Sequence, residues 1–200
     1  PRIALAYAAG FIGRADLVVV AVFLSLWITQ AGRAQGMTTE EALVQAGIML
    51  GVLQLAALVF APVMGYLTDR ISRVASLALA CGLALVGYTW MGLLDTPMGP
   101  SAYPAAIVLG MGQVGAILAA TALVGQEVPK RLTGSVSGAF TIFGAIGILL
   151  STKVGGWLFD TWMPGAPFIM TGVANGLIML AAFALIAAGH GRPAAEAAER

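Results

Sequence analysis

Six apolar stretches, each long enough to cross a lipid bilayer, run through this sequence of 200 residues. Crossing the hydrocarbon core as a helix takes about 20 apolar residues. Hydrophobic residues make up 60% of the chain and charged residues only 10%, against about 25% charged residues in an average soluble domain. The sequence therefore predicts an all-α membrane bundle over residues 1–190 and a polar cytoplasmic tail at 191–200, with helices at 3–30, 41–67, 73–94, 103–127, 133–158 and 166–189.

The loop charges predict the orientation of these helices. An even number of spans puts both ends of the chain on one side of the membrane. One basic loop residue, Arg33, falls on the other side, whereas seven share the side of the ends: Arg2, Arg70, Arg73, Lys130, Arg131, Arg192 and Arg200. Because basic loop residues favour the cytoplasm, we expect both termini to be cytoplasmic and the multi-pass protein to lie in the plasma or inner membrane.

Two copies of one short pattern end the second and fifth apolar stretches. The first, GYLTD, ends at Asp69, and the second, GWLFD, ends at Asp160; the same offset, 160 − 69 = 91 residues, aligns Gly47 with Gly138. Because the copies are three helices apart, the second copy is turned over in the membrane. Such an inverted repeat of three plus three helices is typical of many secondary transporters.

The charged turn after the second stretch resembles the signature of the major facilitator superfamily (MFS). The family pattern Gly-x-Leu-x-Asp-Arg-x-x-Arg is matched by Gly65, Leu67, Asp69, Arg70 and Arg73. Residues 134–160 also resemble the fifth helix of a family half, which is rich in glycine and closes with Gly-Trp-Leu-Phe-Asp. The resemblance implies one half of a transporter built from two six-helix halves. The chain begins at Pro1 and ends in a tail rich in Ala and Glu, so we expect the C-terminal half.

The resemblance implies secondary active transport of a small organic solute by alternating access, with proton coupling as an option. The partners are then the lipid bilayer, the solute and the other six-helix half of the same polypeptide. Two alternatives stay open: a half-size homodimeric transporter, and a non-transporting membrane assembly or receptor-like protein with the same fold. An enzyme is not predicted, because the polar residues are isolated. No basic cluster or metal-ligand spacing predicts nucleic acid, a metal or a cofactor.

Five polar side chains fall at similar depth in the predicted helices. With 1.5 Å of rise per residue, Arg14 lies roughly 16 Å and Asp16 roughly 20 Å from the cytoplasmic end of the first helix. Gln54, Gln113 and Asn175 also lie at about 20 Å from theirs. In the MFS the first and fourth helices of each half line the central cavity. The resemblance therefore makes Arg14, Asp16 and Gln113 the main candidates for binding substrate or ions, with Gln54 and Asn175 as further candidates.

Arg14 and Asp16 cannot easily pair with each other, because side chains two residues apart on a helix point about 200° apart. A charge at the centre of a membrane helix costs roughly 2.5 to 3.5 kcal/mol. Each group must therefore face water or a partner. We expect Arg14 to meet an anionic substrate or an acid of the other half, and Asp16 to carry a proton or pair across helices. The alternative is a structural role in helix packing.

The signature turn is also predicted to act as a gating loop, formed by Gly65, Asp69, Arg70 and Arg73 with Glu127 of the fourth helix. Asp69 is expected to cap the third helix, where a carboxylate accepts backbone N–H bonds. Arg70 or Arg73 is expected to approach Glu127. By resemblance, such contacts hold the cytoplasmic side closed while the outer side is open; the alternative is a topology signal without a gating role.

Glycines spaced along the helices predict close helix packing, since small residues let helix backbones approach each other. Three sets are expected to form contact stripes: Gly47 with Gly51, Gly134 with Gly138, and Gly110 with Gly112 and Gly115.

Overall fold

The computed structural model describes residues 2–127 and 133–190, and this part of the chain forms six helices long and apolar enough to cross a membrane. Their bounds are α1 Arg2–Ala34, α2 Thr39–Arg70, α3 Arg73–Gly92, α4 Ala102–Glu127, α5 Thr133–Thr161 and α6 Ala166–Ala187. The predicted six-helix fold is confirmed, and no predicted helix end is displaced by more than about four residues, the usual uncertainty of such boundaries. The predicted tail at 191–200 lies outside the described residues.

Side-chain caps determine where two of the helices begin. At α2, the Thr38 hydroxyl accepts from the Glu41 N–H at 3.2 Å, while the Glu41 carboxylate accepts from the Thr38 N–H at 2.8 Å, which is a capping box. At α3, the Ser72 hydroxyl accepts from the Ala75 N–H at 3.3 Å. The prediction that Asp69 caps α3 was therefore wrong, because α2 continues through Arg70 and places Asp69, exposed, in its own last turn.

Within α1, residues Val19–Leu24 form a π-helical segment between two α-helical parts. Single π-helical turns inside α-helices are frequent at functional sites. The segment begins three residues after Asp16. This change in backbone geometry was not predicted from the sequence, because valine, alanine, phenylalanine and leucine are equally at home in ordinary membrane helices.

Glycines mark the closest helix crossings. A side chain at Gly110 would strike the Leu53 carbonyl of α2, and one at Gly112 would strike the backbone of α3 at Ala84. The stripe predicted on α4 is thus confirmed. The stripes predicted at Gly47 with Gly51 and at Gly134 with Gly138 were wrong for contacts within the described chain, because a Cβ at any of these four positions meets nothing within 4 Å.

The inverted repeat is visible in how the helices pack. Helix α2 packs on α4, and the corresponding helix of the second repeat, α5, packs on α1. The aligned pair Gly47 and Gly138 both face open space, and the aligned pair Asp69 and Asp160 are both exposed near the ends of their helices. Helices α2 and α5 also have the smallest buried share of the six helices: 22% and 12% of the residues in an apolar 18-residue stretch of each are buried. One broad apolar face of each therefore remains uncovered.

The core of the bundle consists of two apolar clusters separated along the helix axes. One contains Leu5, Ala9, Val74 and Leu123, together with neighbouring alanines, and lies near the end that carries Arg2, Arg70 and Arg73. We call this the basic end. The other cluster is aromatic and contains Phe23, Trp27, Tyr88, Phe159 and Phe168. Four buried polar side chains, described below as a candidate site, lie where the two clusters meet.

Candidate functional site

Asp16 is buried about one helical turn before the π-helical segment. Its side chain has no exposed surface, and its Oδ2 accepts a hydrogen bond from Asn175 Nδ2 of α6 at 3.1 Å. The same amide nitrogen also donates to the Thr171 carbonyl, one helical turn earlier, at 3.1 Å. The second carboxyl oxygen, Oδ1, has no hydrogen-bond partner in the described structure. Asp16 thus joins α1 to α6 through one bond and retains one free acceptor.

Tyr88 of α3 extends this connection to α4. Its hydroxyl donates to the backbone carbonyl of Asp16 at 3.3 Å and accepts from Gln113 Nε2 at 3.1 Å. Tyr88 is fully buried, and Gln113 is 3% exposed. We call Asp16, Asn175, Tyr88 and Gln113 the polar network. It ties α1, α3, α4 and α6 together in the middle of an otherwise apolar bundle.

The structure brings together three of the five predicted site residues, Asp16, Gln113 and Asn175, at one depth. Counting at 1.5 Å per residue from the basic end, Asp16, Gln113 and Asn175 lie at about 21, 21 and 18 Å. They face one another inside the bundle. The bridging residue, Tyr88, was missed. Its signal was available, because a buried tyrosine hydroxyl in an apolar helix usually has a hydrogen-bond partner.

Gln54 does not join this group. Its side chain is exposed on α2, on a stretch whose exposed neighbours include Leu55 and Leu58. Gln54 and Gln113 were predicted at a similar depth in the membrane, but Gln54 does not lie beside Gln113. Depth along a helix does not determine the direction in which a side chain points.

Arg14 lies on the other side of α1. Its side chain is exposed while that of Asp16 is buried, which confirms that the two do not pair. Within residues 2–127 and 133–190, Arg14 makes no hydrogen bond or ion pair. It lies about 18 Å from the basic end, counted from Arg2 at 1.5 Å per residue. An unpaired guanidinium is thus present in the middle of a membrane span.

Arg14 lines a groove of about 240 Å³ formed by α1, α4 and α5. The other lining residues are small or apolar, among them Gly13, Leu17, Ile117 and Phe140, with Thr121 as the other polar one. The Thr121 hydroxyl donates to the Ile117 carbonyl of its own helix at 2.7 Å. The guanidinium of Arg14 is therefore the group in this groove whose hydrogen-bond donors are free.

Glycines of α5 let this helix approach α1 closely beside the groove. A Cβ at Gly144 would lie 2.5 Å from the Arg14 Cγ, and one at Gly155 would lie 2.9 Å from the Phe23 ring. At Gly147 the α1 backbone itself, at the Phe11 carbonyl, occupies the space that a Cβ needs. Helix α5 thus supplies a glycine track along which α1 lies, and the stem of Arg14 crosses this track at Gly144.

At the basic end, two arginines attach to the end of α4. Arg73 Nη1 donates to the Ala122 carbonyl at 3.0 Å, and Arg2 Nη2 donates to Gln126 Oε1 at 2.9 Å. The guanidinium of Arg70 instead lies 5.0 Å from the ring centre of Tyr66 on its own helix. Both bonds to α4 place positive charge near its C-terminal carbonyls, where the helix dipole is favourable for cations.

The predicted gating residues are only partly brought together by these contacts. Arg73 reaches α4, as expected, but its partner is a backbone carbonyl. The side chain of Glu127 lies outside the described residues, so its pairing with Arg70 or Arg73 stays a prediction. Gly65 faces open space on α2. Among the side chains that the structure describes, no group of three His, Cys, Asp or Glu residues is arranged to hold a metal ion.

Comparison with known proteins identifies relatives of this chain along most of its length. It is 33% identical over 189 residues to the magnetosome protein MamZ of Magnetospirillum gryphiswaldense, a match that covers 94% of this chain and 29% of MamZ. It is 33% identical to the magnetosome protein MamH of Paramagnetospirillum magneticum, covering 92% of this chain and 42% of MamH. It is 31% identical to the multidrug resistance protein MdtG of Dickeya zeae, a match that covers 91% of this chain and 43% of MdtG. The chain thus spans less than half the length of each relative.

The fold matches half of a solved transporter. The inward-open structure of the xylose transporter XylE from E. coli superposes with a TM-score of 0.72 at 16% sequence identity, covering 91% of this chain and 47% of XylE. At that identity the match shows the fold alone. The sequence itself matches the family model described as Major Facilitator Superfamily over residues 2–152. The chain therefore belongs to the Major Facilitator Superfamily.

Proposed function

We propose that the polypeptide containing this chain is a secondary active transporter that moves a small organic solute across a membrane by alternating access. The observation that carries the proposal is Arg14, a cation with no hydrogen-bond or ion-pair partner among the described residues, in the middle of a membrane span and in a groove of the bundle. A lipid-facing arginine at that depth costs roughly 2.5 to 3.5 kcal/mol by insertion scales. Arg14 is therefore expected to face a water-filled route or a polar partner.

In this proposal the chain forms one half of the transporter. The uncovered apolar faces of α2 and α5 support it, since they carry large exposed side chains such as Leu55, Leu58, Leu149 and Trp157. Glycines Gly47 and Gly138 lie on the same two helices and leave room for a second backbone to approach. The other half of the same polypeptide is the proposed partner of these faces, with the half-size homodimer as the alternative.

The test is the water accessibility of α1 in the full polypeptide reconstituted in liposomes. With Cys81 and every native cysteine outside this chain replaced by serine, a single cysteine at Leu17 should react with a membrane-impermeant maleimide, because Leu17 lines the groove and is 42% exposed. The matched control is a cysteine at Leu177 of α6, which is 63% exposed but lies outside the groove. It should stay unreactive in lipid. Equal reactivity at the two positions, or none at either, would contradict a water-filled route along α1.

Transport itself is tested by counterflow in the same liposomes with a panel of labelled sugars, carboxylates and cationic drugs. We expect at least one class to accumulate. Arg14→Gln should reduce that accumulation, whereas Arg33→Gln, at the opposite end of α1 from the basic end, should not. A complete absence of counterflow with protein shown to be folded would favour a non-transporting membrane assembly.

Proton coupling is proposed to act through Asp16. Its carboxyl group is buried, has one free oxygen, and is bonded by an amide of Asn175 rather than by a cation. Asp16→Asn should abolish accumulation driven by an imposed pH gradient and preserve counterflow, which needs no net proton movement. If both activities respond equally to this substitution, Asp16 has a structural role in the polar network instead.

The proposed gate is the basic end, and the proposed location is the inner membrane with cytoplasmic termini. Asp69→Asn is expected to shift distances between spin labels on the loops of the basic end towards an open state. Unchanged distances together with normal transport would leave Asp69 as a topology signal. Because two relatives are magnetosome proteins, a fluorescent fusion should be examined for the magnetosome membrane as well as the cell membrane.

A further inference from the structure

We infer that the groove at Arg14 binds a small organic monocarboxylate, and this inference rests on the proposed transport function. The charge of the groove lining favours an anion. Arg14 is the charged residue of the groove lining, and Asp16, the acidic residue nearest to it in sequence, is fully buried on the other face of α1. The groove therefore presents one positive charge to an occupant.

The free hydrogen-bond donors of the groove favour a carboxylate. The neighbouring hydroxyl, on Thr121, uses its proton on the Ile117 carbonyl, so it can accept a hydrogen bond but not easily donate one. The backbone N–H groups of the lining helices are occupied within their helices, as in any continuous α-helix. An occupant must therefore take its hydrogen bonds from the guanidinium fork of Arg14. That planar fork matches the two oxygens of a carboxylate with two parallel bonds.

The single charge of Arg14 limits the number of charges on the occupant. A phosphate monoester carries about −1.5 to −2 charges at neutral pH, so a single arginine would leave part of that charge uncompensated against apolar walls. Burying an uncompensated charge is costly. A monocarboxylate matches the single positive charge. The remaining walls, which include Leu17, Ile117 and Phe140, favour an apolar body behind the carboxylate.

The size of the groove limits the occupant. Its volume of about 240 Å³ is below the range of about 300 to 1,000 Å³ that is typical of sites for drug-sized ligands. We therefore expect a short-chain or single-ring acid. The competing occupant is a carboxylate of the polypeptide outside this chain, which would pair with Arg14 permanently and exclude a free acid.

The test is calorimetric titration of the full polypeptide, purified in detergent, with butyrate, hexanoate and benzoate and with the neutral amide of each acid. Each acid and its amide share nearly the same shape and differ in charge. We expect the acids to bind about 10- to 100-fold more tightly than the amides, as charge-assisted hydrogen bonds imply. Arg14→Gln should bring the two affinities together. Arg33→Gln, which changes an exposed arginine outside the groove, should keep the difference.

A second variant guards against misfolding of Arg14→Gln. Arg14→Lys keeps the charge but loses the two-pronged geometry, so it should retain part of the preference for acids. Equal binding of acids and amides by the wild type would overturn the inference. A preference for acids that stays unchanged in both variants would also overturn it. So would an aspartate or glutamate outside this chain that lies against Arg14, which is shown if cysteines placed at that position and at position 14 form a disulfide.

Counterflow separates this inference from the proposed function. If acids bind through Arg14 but no probe crosses the membrane, the monocarboxylate site stands and transport fails. If amides and acids are exchanged at equal rates and Arg14→Gln is as active as the wild type, transport stands and the monocarboxylate site is overturned.

Discussion

Replacing Gly144 by alanine tests the contact that positions Arg14. An ideal Cβ at residue 144 lies 2.5 Å from the Arg14 Cγ and 3.1 Å from the Arg14 Cβ. Ordinary van der Waals contact begins at 3.4 Å, so the Arg14 Cγ must withdraw by 3.4 − 2.5 = 0.9 Å. Both atoms lie close to the backbone of α1. The withdrawal therefore needs a new χ1 rotamer of Arg14 or a shift of α1 away from α5.

The size of the effect follows from two opposing contributions. Overfilling a packed contact costs about 1 to 3 kcal/mol, whereas alanine in place of glycine within a helix stabilises it by about 0.5 to 1 kcal/mol. We therefore expect Gly144→Ala to lower the free energy of unfolding by up to about 2.5 kcal/mol. The matched control is Gly156→Ala on the same helix, where a Cβ meets nothing within 4 Å. It should be neutral or slightly stabilising.

The assay measures the apparent melting temperature of the detergent-solubilised polypeptide, by heating samples and quantifying the protein that remains folded by size-exclusion chromatography. In domains of about 150 to 250 residues 1 kcal/mol corresponds to about 2 to 4 °C, and the shift becomes smaller as the chain becomes longer. The decisive comparison is a double-mutant cycle. In an Arg14→Ala background the Cγ is absent, so the penalty of Gly144→Ala should largely disappear. The reasoning is refuted if Gly144→Ala behaves like Gly156→Ala, or if its penalty is the same with and without the arginine side chain.

Three further substitutions test the polar network and the helix ends. Asn175→Ala removes the one side-chain donor that the structure shows on Asp16 and should destabilise the fold by about 1 to 3 kcal/mol, with a smaller effect in an Asp16→Ala background; thermal melting of the single and double variants checks this. Thr38→Ala removes the α2 cap and should cost about 0.5 to 2 kcal/mol, seen as faster hydrogen exchange in the first turn of α2. Arg73→Ala breaks the bond to the Ala122 carbonyl and should lower the free energy of unfolding by no more than about 1.5 kcal/mol. It should also broaden the distribution of distances between spin labels at the basic end.

The helices were predictable from the sequence because a bilayer leaves few alternatives. A spanning segment must satisfy its backbone groups internally, so an apolar stretch such as 166–189 becomes a helix whose length is limited by the membrane. The separation of Arg14 from Asp16 was predictable for a similar reason, since helical geometry fixes the angle between two positions on one helix. Both predictions use local geometry alone.

Predictions that depended on the neighbouring helix were less successful. The spacing of Gly47 and Gly51 is the same as that of a packing stripe, but the sequence does not say which face of α2 is covered. Gln54 has the depth of Gln113 and points elsewhere for the same reason. Ser72 and not Asp69 caps α3, because α2 continues through Arg70 and leaves Ser72 directly before the first residue of α3. Which faces meet is a property of the packed bundle.

The contacts of α1 indicate where this bundle opens at the lowest cost. On one side, the polar network bonds α1 to α3 and α6 through buried groups, and each buried group left without a partner costs about 1 to 3 kcal/mol. On the other side, at the level of Arg14, α1 meets α5 through van der Waals contact at the glycine track. A hydrogen bond from the Tyr7 hydroxyl to the Val136 carbonyl, at 3.1 Å, joins the two helices about two helical turns nearer the basic end. Separating α1 from α5 at this level is therefore less costly than separating it from α3 and α6. The groove at Arg14 lies at the crossing that can widen while the polar network stays intact.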